Sequence, residues 1–188
     1  MYPRGMVSLL AGCVLAIVPP AAAAPVVVGV MGGGGGGTWS PRASLALARQ
    51  EVGAARIGDT VYVVGGLVAV FNATASGDAE DVPSDTWSGA PSMPVALDHM
   101  GCAAVGGTLY VTGGFSGDFQ ARSGVFAFDP ATGQWSARAP LPAPRGGCWT
   151  VAHGGRLYVF GGTGPGGAVQ RSTFVYDPAA DVWTTGAD

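Results

Sequence analysis

Three short polar stretches carry the side chains best suited to chemistry: Arg49-Gln50-Glu51, Leu97-Asp98-His99 and Arg145-Gly146-Gly147. Each lies 48 residues after the one before. Glu51 and His99 are of the types that move protons once they share a site. Arg49 and Arg145 offer guanidinium forks, which suit carboxylates and acidic peptides. The competing reading is a loop in which both arginines pack near strand starts. Asp98 adds a second carboxyl candidate, beside His99. Trp149 stands where the other repeats have Gly53 and Gly101. Its ring suits stacking on a sugar face, or filling a gap between packed sheets. The other histidine, His153, falls where Ile57 and Val105 fall, and reads as a strand-end filler. Glu51 and His99 show no orienting partner in the sequence. With no G-x-S-x-G, no phosphate loop and no His or Cys pair at ligand spacing, no catalytic residue, metal or cofactor is expected.

The same 48-residue step recurs in everything that must hold these stretches. Trp39, Trp87, Trp135 and Trp183 keep it, as do the glycine pairs Gly65-Gly66, Gly113-Gly114 and Gly161-Gly162. Such self-similarity is the mark of a repeat architecture. Before each pair lies an apolar run with tyrosine: Val61 to Val64, Leu109 to Thr112 and Leu157 to Phe160. Runs of this length fit strands covered on both faces. Before each run is a two-residue turn, Gly58-Asp59, Gly106-Gly107 or Gly154-Gly155, of the kind that closes a hairpin. Four short strands per repeat follow, the fourth carrying the tryptophan. One such sheet cannot hide both faces. Twisted sheets stacked radially can, with tryptophan as a wedge between neighbours.

These residues carry a resemblance. The tyrosine strand, the glycine doublet and the aromatic-Asp-Pro element with tryptophan seven residues on (Phe128-Asp129-Pro130 to Trp135, Tyr176-Asp177-Pro178 to Trp183) resemble the kelch repeat. The resemblance spans Trp39 to Trp183. It implies an all-β, partial kelch-type β-propeller over 39–188. Three four-stranded blades are expected at about 49–87, 97–135 and 145–183, with one extra N-terminal strand at Trp39. It also implies that the three polar stretches converge on the rim of the channel mouth, where kelch arginines often grip acidic peptides or carboxylates. The first repeat departs from the pattern. Glu80 replaces the aromatic before Asp81, and Pro83 comes one place late, so its third strand is either near Asp81 or at Val68 to Phe71.

The remaining chain bounds the setting. Residues 1–24 read as a secretory signal: Arg4, an apolar core from Val7 to Val18, Pro19-Pro20, then alanines. The core is too short for a comfortable bilayer span, so no stable span is expected after cleavage. Lipid attachment at Cys13 is the lesser reading. Residues 25–38 are an apolar and Gly-rich linker. Net charge is −3, from 9 arginines and no lysine against 12 acids, without the basic patch a nucleic-acid binder needs. Cys102 and Cys148 sit at different repeat positions and read as two reduced, buried thiols rather than a pair. Asn72-Ala73-Thr74 is a glycosylation triplet if the source modifies exported proteins.

The expected function is a non-enzymatic binding module outside the cytoplasm, secreted, periplasmic or at the cell surface, holding a protein, peptide or glycan on its rim. The alternatives are a sugar-processing enzyme resembling exported kelch mutarotases of sialic acid, worked by Glu51, Arg49, Arg145 and His99, or a fragment needing further blades. A latch strand at the start with no partner at the end suggests that the natural protein has further repeats. Open sheet edges invite self-association.

Overall fold

The computed structural model describes residues 38–186, Val70 apart. Residues 1–24, expected to be a secretory signal, with Cys13 and the glycine run Gly32 to Gly37, lie outside the described residues. The chain divides into two units, Met1–Pro41 and Arg42–Asp188. Of the first, residues 38–41 are described; they form no strand, and Trp39 is 92% exposed.

The second unit is built from three four-stranded antiparallel sheets. In the first, β1 (Gly53–Ile57) and β2 (Thr60–Val64) form a hairpin. A small separate hairpin, β3 (Leu67–Ala69) and β4 (Asn72–Ala73), precedes β5 (Gly77–Asp81) and β6 (Thr86–Ala90). The sheet order is β1-β2-β5-β6. The second sheet runs β7 (Gly101–Val105), β8 (Thr108–Thr112), β9 (Val125–Asp129) and β10 (Gln134–Ala137). The third runs β11 (Trp149–His153), β12 (Arg156–Phe160), β13 (Thr173–Asp177) and β14 (Val182–Thr185). Corresponding strands begin 48 residues apart throughout. This is a partial β-propeller whose sheets do not close a ring. No helix among the described residues is long and apolar enough to cross a membrane.

Two sequence expectations are corrected or settled. The third strand of the first repeat is β5, ending at Asp81. Leu67–Ala69 pairs instead with β4 in a separate two-stranded hairpin. No strand forms at Trp39, although it keeps the register. A strand needs a ladder partner, which the Trp39 segment lacks among the described residues, and a ring left 92% exposed is not a wedge.

Three tryptophans do act as wedges. Trp135 stacks at 5.1 Å on Phe128, the residue paired with it across the ladder, and Trp183 at 4.7 Å on Tyr176. The stack is then extended into the preceding sheet. Phe128 meets Tyr62 edge-on at 5.6 Å, and Tyr176 meets Tyr110 at 5.9 Å. Each indole N–H donates to a carbonyl 44 residues upstream: Trp87 to Ala43, Trp135 to Pro91, Trp183 to Ala139. Aromatic surface and one directional bond therefore fix each sheet to the segment leading into it. Between the first two sheets, Val64, Met93, Leu97, Met100, Leu109, Val111 and Phe128 close over one another. Between the second and third, Ala103, Tyr110, Ala127, Leu157 and Tyr176 do the same. Burying side chains of this size stabilises by roughly 1.5–3 kcal/mol each.

The turn before each tryptophan shows why a repeat position can change. Asp85, Gly133 and Asp181 share one register and all have positive φ. Asp85 accepts from the Ala43 N–H and Asp181 from the Ala139 N–H, both at 42 residues' separation. Between them the upstream residue is Pro91, which has no N–H to offer, and the turn residue is Gly133, which has no acceptor.

Trp183→Phe should keep the stack but strand the Ala139 carbonyl, costing about 1 kcal/mol. Trp183→Ala should cost about 3 kcal/mol. Trp87→Ala should cost less than Trp183→Ala, because Trp87 faces Glu80 rather than a ring. Urea unfolding of the three variants reads this order. Asp181 also accepts the Tyr176 hydroxyl, and this bond, followed by that from Ala139, holds its carboxyl below the usual range. A depressed carboxyl stabilises above its unfolded value and loses that contribution as pH falls. The stability gap between the native chain and Asp181→Asn should thus be full at neutral pH and shrink as the pH falls below about 3.8 in melts across pH.

Candidate functional site

The glycine doublets place the three polar stretches. The second glycine of each bears on the rim loop of its own sheet. A Cβ on Gly114 would lie 2.8 Å from the Asp98 carbonyl, and one on Gly162 2.6 Å from that of Gly146. The first glycine bears on the next sheet's loop: a Cβ on Gly65 would lie 2.6 Å from the Leu97 carbonyl, and one on Gly113 would overlap that of Arg145. Both glycines have positive φ in every doublet, a region glycine enters freely. With the backbones this close, the Gly66 N–H donates to Leu97 O at 2.8 Å and the Gly114 N–H to Arg145 O at 2.7 Å.

The loops so held are also tied to one another. The His99 N–H donates to Glu51 O at 3.1 Å, and the Gly147 N–H to His99 O at 2.8 Å. Glu51, His99 and Gly147 share one register, all with φ between 50° and 62°. For the two non-glycine residues this left-handed backbone is strained, a feature that concentrates at functional sites. The three loops and the starts of β1, β7 and β11 surround a cavity of about 360 Å³. Its lining includes Glu51, His99, Met100, Cys102, Cys148 and Trp149. The convergence expected from the repeat is therefore present.

The side chains divide differently from the expectation. Arg49 and Arg145 do not reach the mouth. The Arg49 guanidinium is fully buried, paired with Asp78 and donating to Ser76 O at 2.8 Å. Arg145 is 2% exposed, donates to Ser172 Oγ at 2.6 Å and lies 4.5 Å over the Phe174 ring. Burial lowers its pKa, yet it remains a cation. One register explains both. Residues 49, 97 and 145 point inward, facing the strand residues 78, 126 and 174. The pair is met by Arg49 with Asp78, by Leu97 and Phe126 in one apolar cluster, and by Arg145 over Phe174.

At the mouth, Asp98 supplies the orienting partner that the sequence does not reveal. It is 2% exposed, and its Oδ1 lies 2.7 Å from His99 Nδ1. Its Oδ2 accepts the Gly117 N–H at 3.0 Å. Across the cavity edge, His99 Nε2 lies 3.5 Å from Glu51 Oε2. Above His99 is an aromatic group not foreseen: Phe115 at 5.4 Å, Phe119 at 6.2 Å, and Phe71 stacked edge-on against Phe119 at 5.3 Å. Phe71 and Phe119 are 59% and 54% exposed, both with positive φ, in one register on the loops after the doublets. The repeated register of two loop phenylalanines is the signal that could have found them.

Trp149 fills no gap between sheets; it is 72% exposed and lines the cavity. A Cβ on its counterpart Gly101 would overlap Thr150 Oγ1 and lie 2.7 Å from Thr112 Oγ1, two hydroxyls bonded to each other at 2.6 Å. Where a neighbouring sheet docks, this position has no room for a side chain. Cys102 and Cys148 are free thiols. Burial pushes Cys102 up to about 12 and raises Cys148 as well, so neither is an activated nucleophile. No group of His, Cys, Asp and Glu among the described residues is placed to hold a metal.

Residues 39–187 match the family described as the KLHDC2/KLHL20/DRC7 Kelch-repeats domain. The solved structure titled "Structure of YjhT" is similar in fold, with a TM-score of 0.70 at 18% identity over 79% of this chain and 53% of that one. The chain thus spans about half the length of that structure. No curated protein sequence matches it.

The buried register pair predicts a rescue. Asp78→Phe alone leaves the Arg49 cation buried without its partner and should cost about 3 kcal/mol. Arg49→Leu with Asp78→Phe copies the pairing found at Leu97 and Phe126 and should recover most of that loss. Equal destabilisation of the single and double variants in urea unfolding would contradict the reading.

Proposed function

This chain belongs to the kelch-repeat family, and on that premise we propose that it is a non-enzymatic binding module acting outside the cytoplasm, with the channel mouth as its ligand face. The observation that carries the proposal is the contrast at the mouth. A strictly repeated backbone presents side chains that do not repeat: Glu51, His99 and Gly147 at one position, Gly53, Gly101 and Trp149 at another. Where packing sets a repeated position, an unlike residue comes with a matching inward partner, as Arg49 does with Asp78 and Leu97 with Phe126, whereas Trp149 differs from Gly53 and Gly101 while its ring stays exposed. The exposed ring of Trp149 and the strained, exposed Phe71 and Phe119 supply apolar contact at low cost in side-chain freedom. The reading of residues 1–24 as a secretory signal supports the extracytoplasmic setting.

The sugar-processing reading is the weaker one. It draws on arginines to hold an acidic sugar, and both guanidiniums are engaged inside the sheets. The open flank of the third sheet exposes Val151, Phe160 and Val182, and self-association would run through it. A further sheet docked there as the third docks on the second would meet the Trp149 indole.

A displayed random-peptide library selected on the folded chain tests the ligand face. Binders should lose about tenfold in affinity with Trp149→Ala and with Glu51→Ala, while the melting temperature stays within about 2 °C. Binding that survives both substitutions would place the ligand elsewhere.

A further inference from the structure

The mouth carries an unbalanced hydrogen-bonding pair. Asp98 is a buried carboxylate whose Oδ2 already takes the Gly117 N–H, and its Oδ1 faces His99 Nδ1 at 2.7 Å. An ionised carboxylate only accepts, so the imidazole proton sits on Nδ1. In neutral His99, Nε2 is then a bare lone pair. It lies 3.5 Å from Glu51 Oε2, another acceptor. Two acceptors aimed into one space are satisfied only by a proton or by a donor from outside.

The surroundings say which kind of donor. Facing His99 are Glu51 from the loop before β1, Asp98 beside it, and Phe115, Phe119 and the Gly117 N–H from the loop after β8. The two charges on that loop, Asp118 and Arg122, pair with each other. Arg49 and Arg145, the cations that would have drawn an anion, are buried in the sheets. The free charge at the mouth is therefore negative, set among aromatic rings, and rings favour cations.

We infer that the pair of Glu51 Oε2 and His99 Nε2 is a receptor for a lysine side chain of a partner polypeptide, with Phe71, Phe119 and Trp149 holding the flanking chain. This rests on the mouth being the ligand face. An ammonium supplies three donors and a charge, which meets both acceptors at once.

The test uses the full chain at neutral pH with three peptides alike but for one residue: lysine, Nε-acetyl-lysine and glutamate. Calorimetry reads affinity, and NMR reads the His99 imidazole and Trp149 indole. The lysine peptide should bind about tenfold or more tightly than either other, and lose about tenfold with Glu51→Gln at unchanged melting temperature. If the acetylated or acidic peptide binds as well while shifting His99 and Trp149, the lysine assignment falls and the mouth stands as ligand face. If the lysine peptide shifts neither residue, or none of the three binds, the assignment also falls.

Discussion

The structure depends on one close approach, that of backbone to backbone at the glycine doublets. The first two doublets each touch two rim loops, their own and the next sheet's, and the third touches its own, at separations that leave no room for a β-carbon. The aromatic wedges at the outer edge hold the sheets together, but hydrophobic contact has no direction and tolerates sliding. The doublet contact does not. Gly66 donating to Leu97 and Gly114 donating to Arg145 set the height of one loop against the next. From that follow the chain of bonds through Glu51, His99 and Gly147 and the cavity they line. Gly161 lies on the flank with no neighbouring sheet. A β-carbon added there would meet nothing within 4 Å, as expected if crowding comes from the adjoining sheet.

Away from the doublets the chain is permissive. The inward position of the rim loop accepts an ion pair, an apolar cluster or a guanidinium over a ring. The tryptophan turn accepts Asp with Ala, or Gly with Pro, because donor and acceptor disappear together. A buried polar group is costly only when its partner is missing, so pairs can change where single residues cannot. Such freedom lets the same scaffold carry unlike side chains at its mouth.

Much of this is legible in the sequence because a fixed period constrains backbone directly. The strands, hairpin turns, doublets and convergence of the loops all follow from one 48-residue step. What the period does not encode is the direction of a side chain within a loop. Arg49 and Arg145 read as rim groups by type and position, yet a long side chain turns inward where an acid or a ring waits for it, and Asp78 and Phe174 lie 29 residues further on in each case. Asp98 reads as a rim candidate, but its pairing with His99 is hidden. Adjacent residues on a regular strand point apart; only the left-handed turn at His99 brings the two together. Trp39 shows the converse, since register alone makes no wedge without a paired strand to carry the ring.

Native-state hydrogen exchange at four amides tests the central claim most directly: Gly66, Gly114, His99 and Gly147. If the doublets and the rim bonds set the sheets in place, these amides exchange only when the sheets separate, at rates like that of Val111 in the buried centre of the second sheet. Exchange as fast as at the exposed hairpin turns Gly106-Gly107 and Gly154-Gly155, with Val111 still protected, would show that the loops are not bolted and that the mouth has no fixed form.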